Sequence, residues 1–163
     1  MNEVEELYKL GVQSVNLGSP RQALGYFNKV LEKDPNHVNA LVKKGNVFGK
    51  LGKYHQAISC YDTALSLEPE NLLALINKGL SLHYLQDYDG AIQCYDKVLQ
   101  IKPDNTTALY NKSSSLILQN KIDEGLEILA KVIKLDYSYK AKAKYDIDFQ
   151  KIRLDDRFKR LIL

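Results

Sequence analysis

The sequence predicts an all-α solenoid built from four helix-turn-helix repeats, and three observations carry that reading. Four segments, Val4–His37, Val38–Asn71, Leu72–Asn105 and Thr106–Tyr139, align without a gap at a period of 34 residues. Each segment divides into two stripes of apolar residues at three- and four-residue steps, the spacing of one helix face. A polar break separates the stripes, and Pro35, Pro69 and Pro103 close the second stripe of the first three segments, because proline cannot continue a helix.

The columns agree in type as well as in spacing. Position 4 holds Leu7, Leu41, Leu75 and Leu109, and position 8 holds Gly11, Gly45, Gly79 and Ser113. Position 20 holds Ala23, Ala57, Ala91 and Gly125, and position 24 holds Phe27, Tyr61, Tyr95 and Leu129. The third segment shows the design plainly. Leu72, Leu75, Gly79 and Leu82 mark a first helix, Gln86-Asp87 breaks it, and Tyr88, Ala91, Ile92, Tyr95, Val98 and Leu99 mark a second. The small residues at positions 8 and 20 suit the point where two helices cross, and the large ones fill the space around it.

The Leu-x3-Gly, Ala-x3-aromatic and proline columns, with Tyr54 and Tyr88 at position 17, resemble the tetratricopeptide repeat (TPR) family over residues 4–139. The resemblance implies a right-handed superhelix in which the first helix of each pair lines a concave groove and the second faces outward. The terminal repeats depart from the pattern. Pro20 takes the aromatic position 17 in the first, where it can start a helix. Ser113, Gly125 and Tyr137 replace Gly, Ala and Pro in the fourth. Both departures read as end effects in a stack whose outer repeats act as caps.

The domain plan is therefore four repeats over 1–139 followed by a helical tail over 140–163. A capping helix begins at Lys140, and two short helices follow. Phe149, Ile152, Phe158, Leu161 and Ile162 form an apolar set that must be buried. The favoured reading is a fold-back cap. The sharper one docks the set into a neighbouring molecule or into the chain's own groove.

Composition places few demands beyond this. A 45% hydrophobic, 26% charged chain is ordinary for a globular protein. A formal charge of +3 is too mild to argue for nucleic acid. No stretch is apolar enough to cross a membrane, and the acidic start lacks the apolar core of a signal peptide, so the expected compartment is the cytoplasm. Chemistry leaves no trace: there is no phosphate loop, no Cys-x2-Cys and no His-x3-His. The chain reads as a non-enzyme with no cofactor and no metal. Cys60 and Cys94 share position 23 in neighbouring repeats, too far apart for a disulfide, and read as reduced, partly packed side chains. Lys44, Lys78 and Lys112 form a column at position 7, read as stems on apolar surface with ammonium groups in solvent. His83 falls on the groove face and reads as an ordinary surface histidine.

By the resemblance, ligands meet positions 2, 5, 6, 9, 12 and 13 of each first helix. Those positions present Tyr8 and Lys9 in the first repeat, Lys43, Asn46 and Lys50 in the second, Asn77, Leu80 and Tyr84 in the third, and Tyr110 and Asn111 in the fourth. The asparagines can both donate to and accept from the backbone of an extended peptide. The lysines make one half of the groove basic. Leu73, Ile76, Leu80, Tyr84, Tyr110, Ile117 and Leu118 make the other half apolar, as partner surfaces tend to be. A chaperone-tail clamp is rejected, because the cations that would grip a carboxylate are missing from both possible registers. The function expected is a protein–protein interaction scaffold that holds a peptide or helix of a partner in the groove. Self-assembly into homo-oligomers is the alternative, with no nucleic acid or membrane partner in either case.

Overall fold

The structure, a computed structural model, describes residues 2–163. Among the described residues there are helices and no strands. No helix among them is long and apolar enough to cross a membrane. The chain divides into two compact units, Met1–Ser81 and Leu82–Leu163. Helices α1 (Glu3–Asn16), α2 (Pro20–Lys33), α3 (Val38–Lys50) and α4 (Tyr54–Leu67) belong to the first unit, and α5 (Leu72–Tyr84) begins in it. The second holds α6 (Tyr88–Ile101), α7 (Thr106–Leu118), α8 (Ile122–Leu135), α9 (Ser138–Tyr145), a 3-10 segment (Ile147–Ile152) and α10 (Asp156–Ile162).

Local chemistry sets the helix starts. The first helix of each later pair is capped by the residue at position 34 of the pair before it. His37 Nδ1 accepts from the Ala40 amide at 3.1 Å, Asn71 Oδ1 from Ala74 at 3.0 Å and Asn105 Oδ1 from Ala108 at 2.9 Å. Each satisfies one of the amides that a helix start leaves without a carbonyl. The turn inside each pair repeats too. Gly18, Gly52, Gln86 and Asn120, all at position 15, have φ between 63° and 71°. This left-handed backbone is natural for glycine and strained for Gln86.

The glycine column has a specific neighbour. A Cβ on Gly11 would sit 2.5 Å from Phe27 Cε1, and one on Gly45 would sit 2.6 Å from Tyr61 Cε1. Position 8 is therefore small so that the aromatic ring at position 24 of the second helix can lie against the first helix. Phe27 and Tyr61 are buried as a result, and burying such a ring contributes roughly 1.5–3 kcal/mol. The fourth repeat solves the same crossing in reverse. Ser113 Oγ donates to the Gly125 carbonyl at 2.7 Å, and a Cβ on Gly125 would meet Ile117 Cγ1 at 2.6 Å. Glycine has moved to the second helix, and Leu129 replaces the ring.

Position 7 corrects one expectation. The lysines do not simply extend into solvent: Lys78 pairs with Asp62 at 2.6 Å, and Lys112 pairs with Asp96 at 2.6 Å. Both acids occupy position 25 of the preceding repeat, so the pairs tie successive repeats. Lys44 has Asn28 at that place in the sequence and instead lies over the Phe48 ring, 6.0 Å from its centroid. Cys60 and Cys94 are both buried.

The tail folds back within the second unit. Phe149, Ile152 and Phe158 are buried with Leu109, Tyr110, Ile117, Leu126, Leu129 and Val132. Phe149 stacks on Phe158 with centroids 5.7 Å apart and meets the Tyr110 ring edge-on at 5.6 Å.

Candidate functional site

In the first unit, α3, α4 and α5 share a polar network centred on one amide. Asn46 Oδ1 accepts from the Tyr61 hydroxyl at 2.7 Å and from Asn77 Nδ2 at 2.8 Å. The carbonyl's two lone pairs are thus both engaged, and what Asn46 has left to offer is its two N–H donors. Burial pushes the Tyr61 hydroxyl far above the ordinary tyrosine range, with the neighbouring Cys60 adding to it, so it stays a protonated donor. The amide of Asn46 is held in one orientation before any ligand arrives, which lowers the ordering cost of binding.

Around this network lie the other predicted residues of the unit. Lys43 and Lys50 are exposed, and their spacing from Asn46 (three and four residues) puts all three on one face of α3. Lys9 is exposed on α1. Tyr8 is half-buried, stacked on the His37 ring at 5.1 Å and tilted against Phe27 at 6.1 Å. Leu80 is half-buried. Position 5 departs from the expectation of a ligand-facing column. Val42 and Ile76 are buried, at 5% and 8% exposure, and serve packing instead.

In the second unit the predicted residues meet the tail. Tyr110, expected on an open face, is 2% exposed. Its hydroxyl donates to Asp146 Oδ2 at 2.7 Å, and Lys142 Nζ lies 4.2 Å from its ring centroid. Burial first, and then the bond to Asp146, raise its hydroxyl well above the ordinary range. Tyr110 is therefore a tail-binding residue and drops out of the open surface. Asn111 is half-buried and Tyr84 is exposed.

His83 is also corrected. It is 6% exposed, not a surface side chain, and is held at both ring nitrogens. Nδ1 lies 2.8 Å from Ser115 Oγ and Nε2 lies 3.0 Å from Asp148 Oδ2. Ser114 Oγ donates to the same carboxylate oxygen. Burial raises the Asp148 carboxyl, but the hydrogen bonds from His83 and Ser114 and the His83 charge outweigh it and hold the group below its ordinary value. Ser114 and Ser115 stand in a run of three serines, and their role is legible only with His83 and Asp148 beside them. One buried polar atom nearby has no partner: the Tyr95 hydroxyl. The equivalent of its acceptor in the second repeat, Asn46, is Leu80 in the third.

Three tetratricopeptide repeat family models match the chain, over residues 42–106, 82–144 and 7–37. No curated protein sequence matches it. Among solved structures, MamA 41-end from Desulfovibrio magneticus RS-1 superposes with a TM-score of 0.84 at 24% identity, covering 99% of this chain and 95% of that one. YrrB, described as a TPR protein with an unusual peptide-binding site, gives 0.75 at 18% identity over 95% of this chain and 80% of its own. The first TPR of Spaghetti (RPAP3), bound to an HSP90 peptide, gives 0.70 at 20% identity over 72% of this chain and 94% of its own. These likenesses show the fold to be the all-α solenoid of helix pairs that the repeat period predicts.

Proposed function

The chain belongs to the tetratricopeptide repeat family, and from that premise we propose that it is a non-catalytic protein-interaction module whose first unit binds an acidic, extended segment of a partner protein. The observation that carries the reading is the fixed amide of Asn46, flanked on α3 by the exposed Lys43 and Lys50. Oriented N–H donors suit the carbonyls of an extended backbone, and the lysines supply sequence preference through charge. Two structural neighbours described with peptide ligands or sites support a protein or peptide partner.

The test is fluorescence anisotropy with two labelled peptide pools of equal length, one rich in Asp and Glu and one rich in Lys and Arg. The acidic pool is expected to bind, with affinity falling as salt rises. Lys43→Glu/Lys50→Glu should abolish that binding. Asn46→Ala should weaken it while the salt dependence stays the same. Equal binding of both pools, or charge-reversal variants that bind acidic peptides unchanged, would sink the reading.

Self-assembly is favoured by a different observation: Leu17, Ile147, Leu154 and Leu163 are each at least 75% exposed. Sedimentation over a hundredfold concentration range decides it, since a constant monomer mass rules it out.

A further inference from the structure

The 3-10 segment sits on the second unit as a bound ligand would. Its contacts fall on positions 5, 9 and 12 of the first helices of the repeats: Tyr110 and Ser114 on α7, and His83 at the end of α5. These are groove positions by the TPR alignment, and here the chain's own residues Asp146, Asp148 and Phe149 meet them. The segment is thin. Ile147, Gln150 and Lys151 on its outer side are exposed, while Phe149 and Ile152 on its inner side are buried. It is also pre-shaped: Asp146 Oδ1 accepts the Asp148 amide at 3.0 Å. Its entry is a single extended residue, Asp146, with φ −71° and ψ 128°.

The receptor side is built for a carboxylate. His83, Ser114 and Ser115 are 6%, 3% and 0% exposed, and Tyr110 is 2% exposed. If Asp148 simply left, buried polar groups would lose partners, which costs about 1–3 kcal/mol for each. An incoming carboxylate with the same spacing to a second acid and an aromatic ring would restore every one of those bonds. Exchange between the internal segment and an equivalent external one is therefore nearly balanced in polar terms. The internal copy is favoured by the tether's effective concentration and by the burial of the tail's Ile152 and Phe158.

We propose that this face of the second unit is a binding site for a partner segment of the pattern Asp-x-Asp-aromatic, and that the tail fills it in cis until such a segment displaces it. The proposal goes beyond the acidic-peptide reading of the first unit and does not depend on it. Lys43→Glu/Lys50→Glu is expected to leave it untouched, so the two can fail separately.

The probe is a labelled peptide with the sequence of residues 144–155, added to the full-length chain. Wild type should bind it weakly, because the tail competes. Asp146→Asn/Asp148→Asn weakens the internal copy without altering the receptor and should bind the peptide about tenfold tighter. A peptide carrying the same two Asp→Asn changes should bind neither protein. Adding Ser114→Ala/His83→Gln to the tail variant should remove the gain. If the folded tail variant binds the peptide no better than wild type, or if the Asn peptide binds as well as the Asp peptide, the proposal is wrong. Hydrogen exchange on unaltered protein gives an independent check. Amides of residues 147–152 should open faster than those of α8, and peptide should speed them further. Exchange of both regions at one common rate would make the tail part of the core and overturn the proposal. A dimer formed by the tail variant alone, with no peptide uptake, would assign the site to a second copy and would also overturn it.

Discussion

Gln86→Gly should stabilise the protein, and the reason lies in one dihedral angle. Position 15 of every repeat has positive φ, and Gln86 adopts φ 63° where Gly18 and Gly52 adopt 70° and 71°. A residue with a Cβ loses roughly 1–2 kcal/mol in that region. Glycine gives back about 0.4–1 kcal/mol through the greater freedom of the unfolded chain. The net gain is about 0.5–1 kcal/mol, which for a chain of this size raises Tm by roughly 1–4 °C. Nothing lies within 4 Å of a Cβ placed at Gly52. The reverse change, Gly52→Ala, therefore tests the backbone effect free of clashes and should lower Tm by a similar amount. The assay is far-UV circular dichroism in thermal and urea melts, reading the midpoint and checking that the urea m-value is constant. A Gln86→Gly midpoint equal to or below that of wild type would refute the argument from backbone strain.

Three further outcomes are expected. Gly45→Ala forces a methyl to within 2.6 Å of the Tyr61 ring and should cost about 1–3 kcal/mol by overpacking, seen as a lower urea midpoint. Tyr95→Phe removes a buried hydroxyl that has no partner and should be neutral or stabilise by up to about 1 kcal/mol, a rare sign for a core change that the same melts will read. Acid should release the tail. The Asp148 carboxyl is held below its ordinary value in the folded state, so its stabilisation is complete above the unfolded value of about 3.9 and is lost as pH falls through the lower folded value. The Tm gap between wild type and Asp148→Asn should close below about pH 4, and a gap that persists unchanged into that acid range would contradict the assignment.

The candidate site is only partly legible in the sequence. Asn46 and Asn77 were visible as groove residues from their columns, but the bond between their side chains, and the Tyr61 hydroxyl that completes it, are pairings between helices that a column cannot show. Lys78 and Lys112 recur in the sequence, and so do Asp62 and Asp96 at position 25, but only the packing of successive repeats shows that they pair. The helical period puts Tyr110 and His83 on first helices, but their burial depends on what else covers them.

The sequence by itself determined the repeating part of this protein. Helix stripes, prolines and small crossing residues are set locally, and duplication prints them again every 34 residues. The tail obeys no such period. His83 and Asp148 are 65 residues apart, and neither the distance nor the residue types around them foretell the bond. Only the tertiary structure decided that the tail would settle over Tyr110 and Ser114. A unique contact between distant segments is chosen by the fit of buried polar and apolar groups once the helices are in place, and one sequence carries no local trace of that fit.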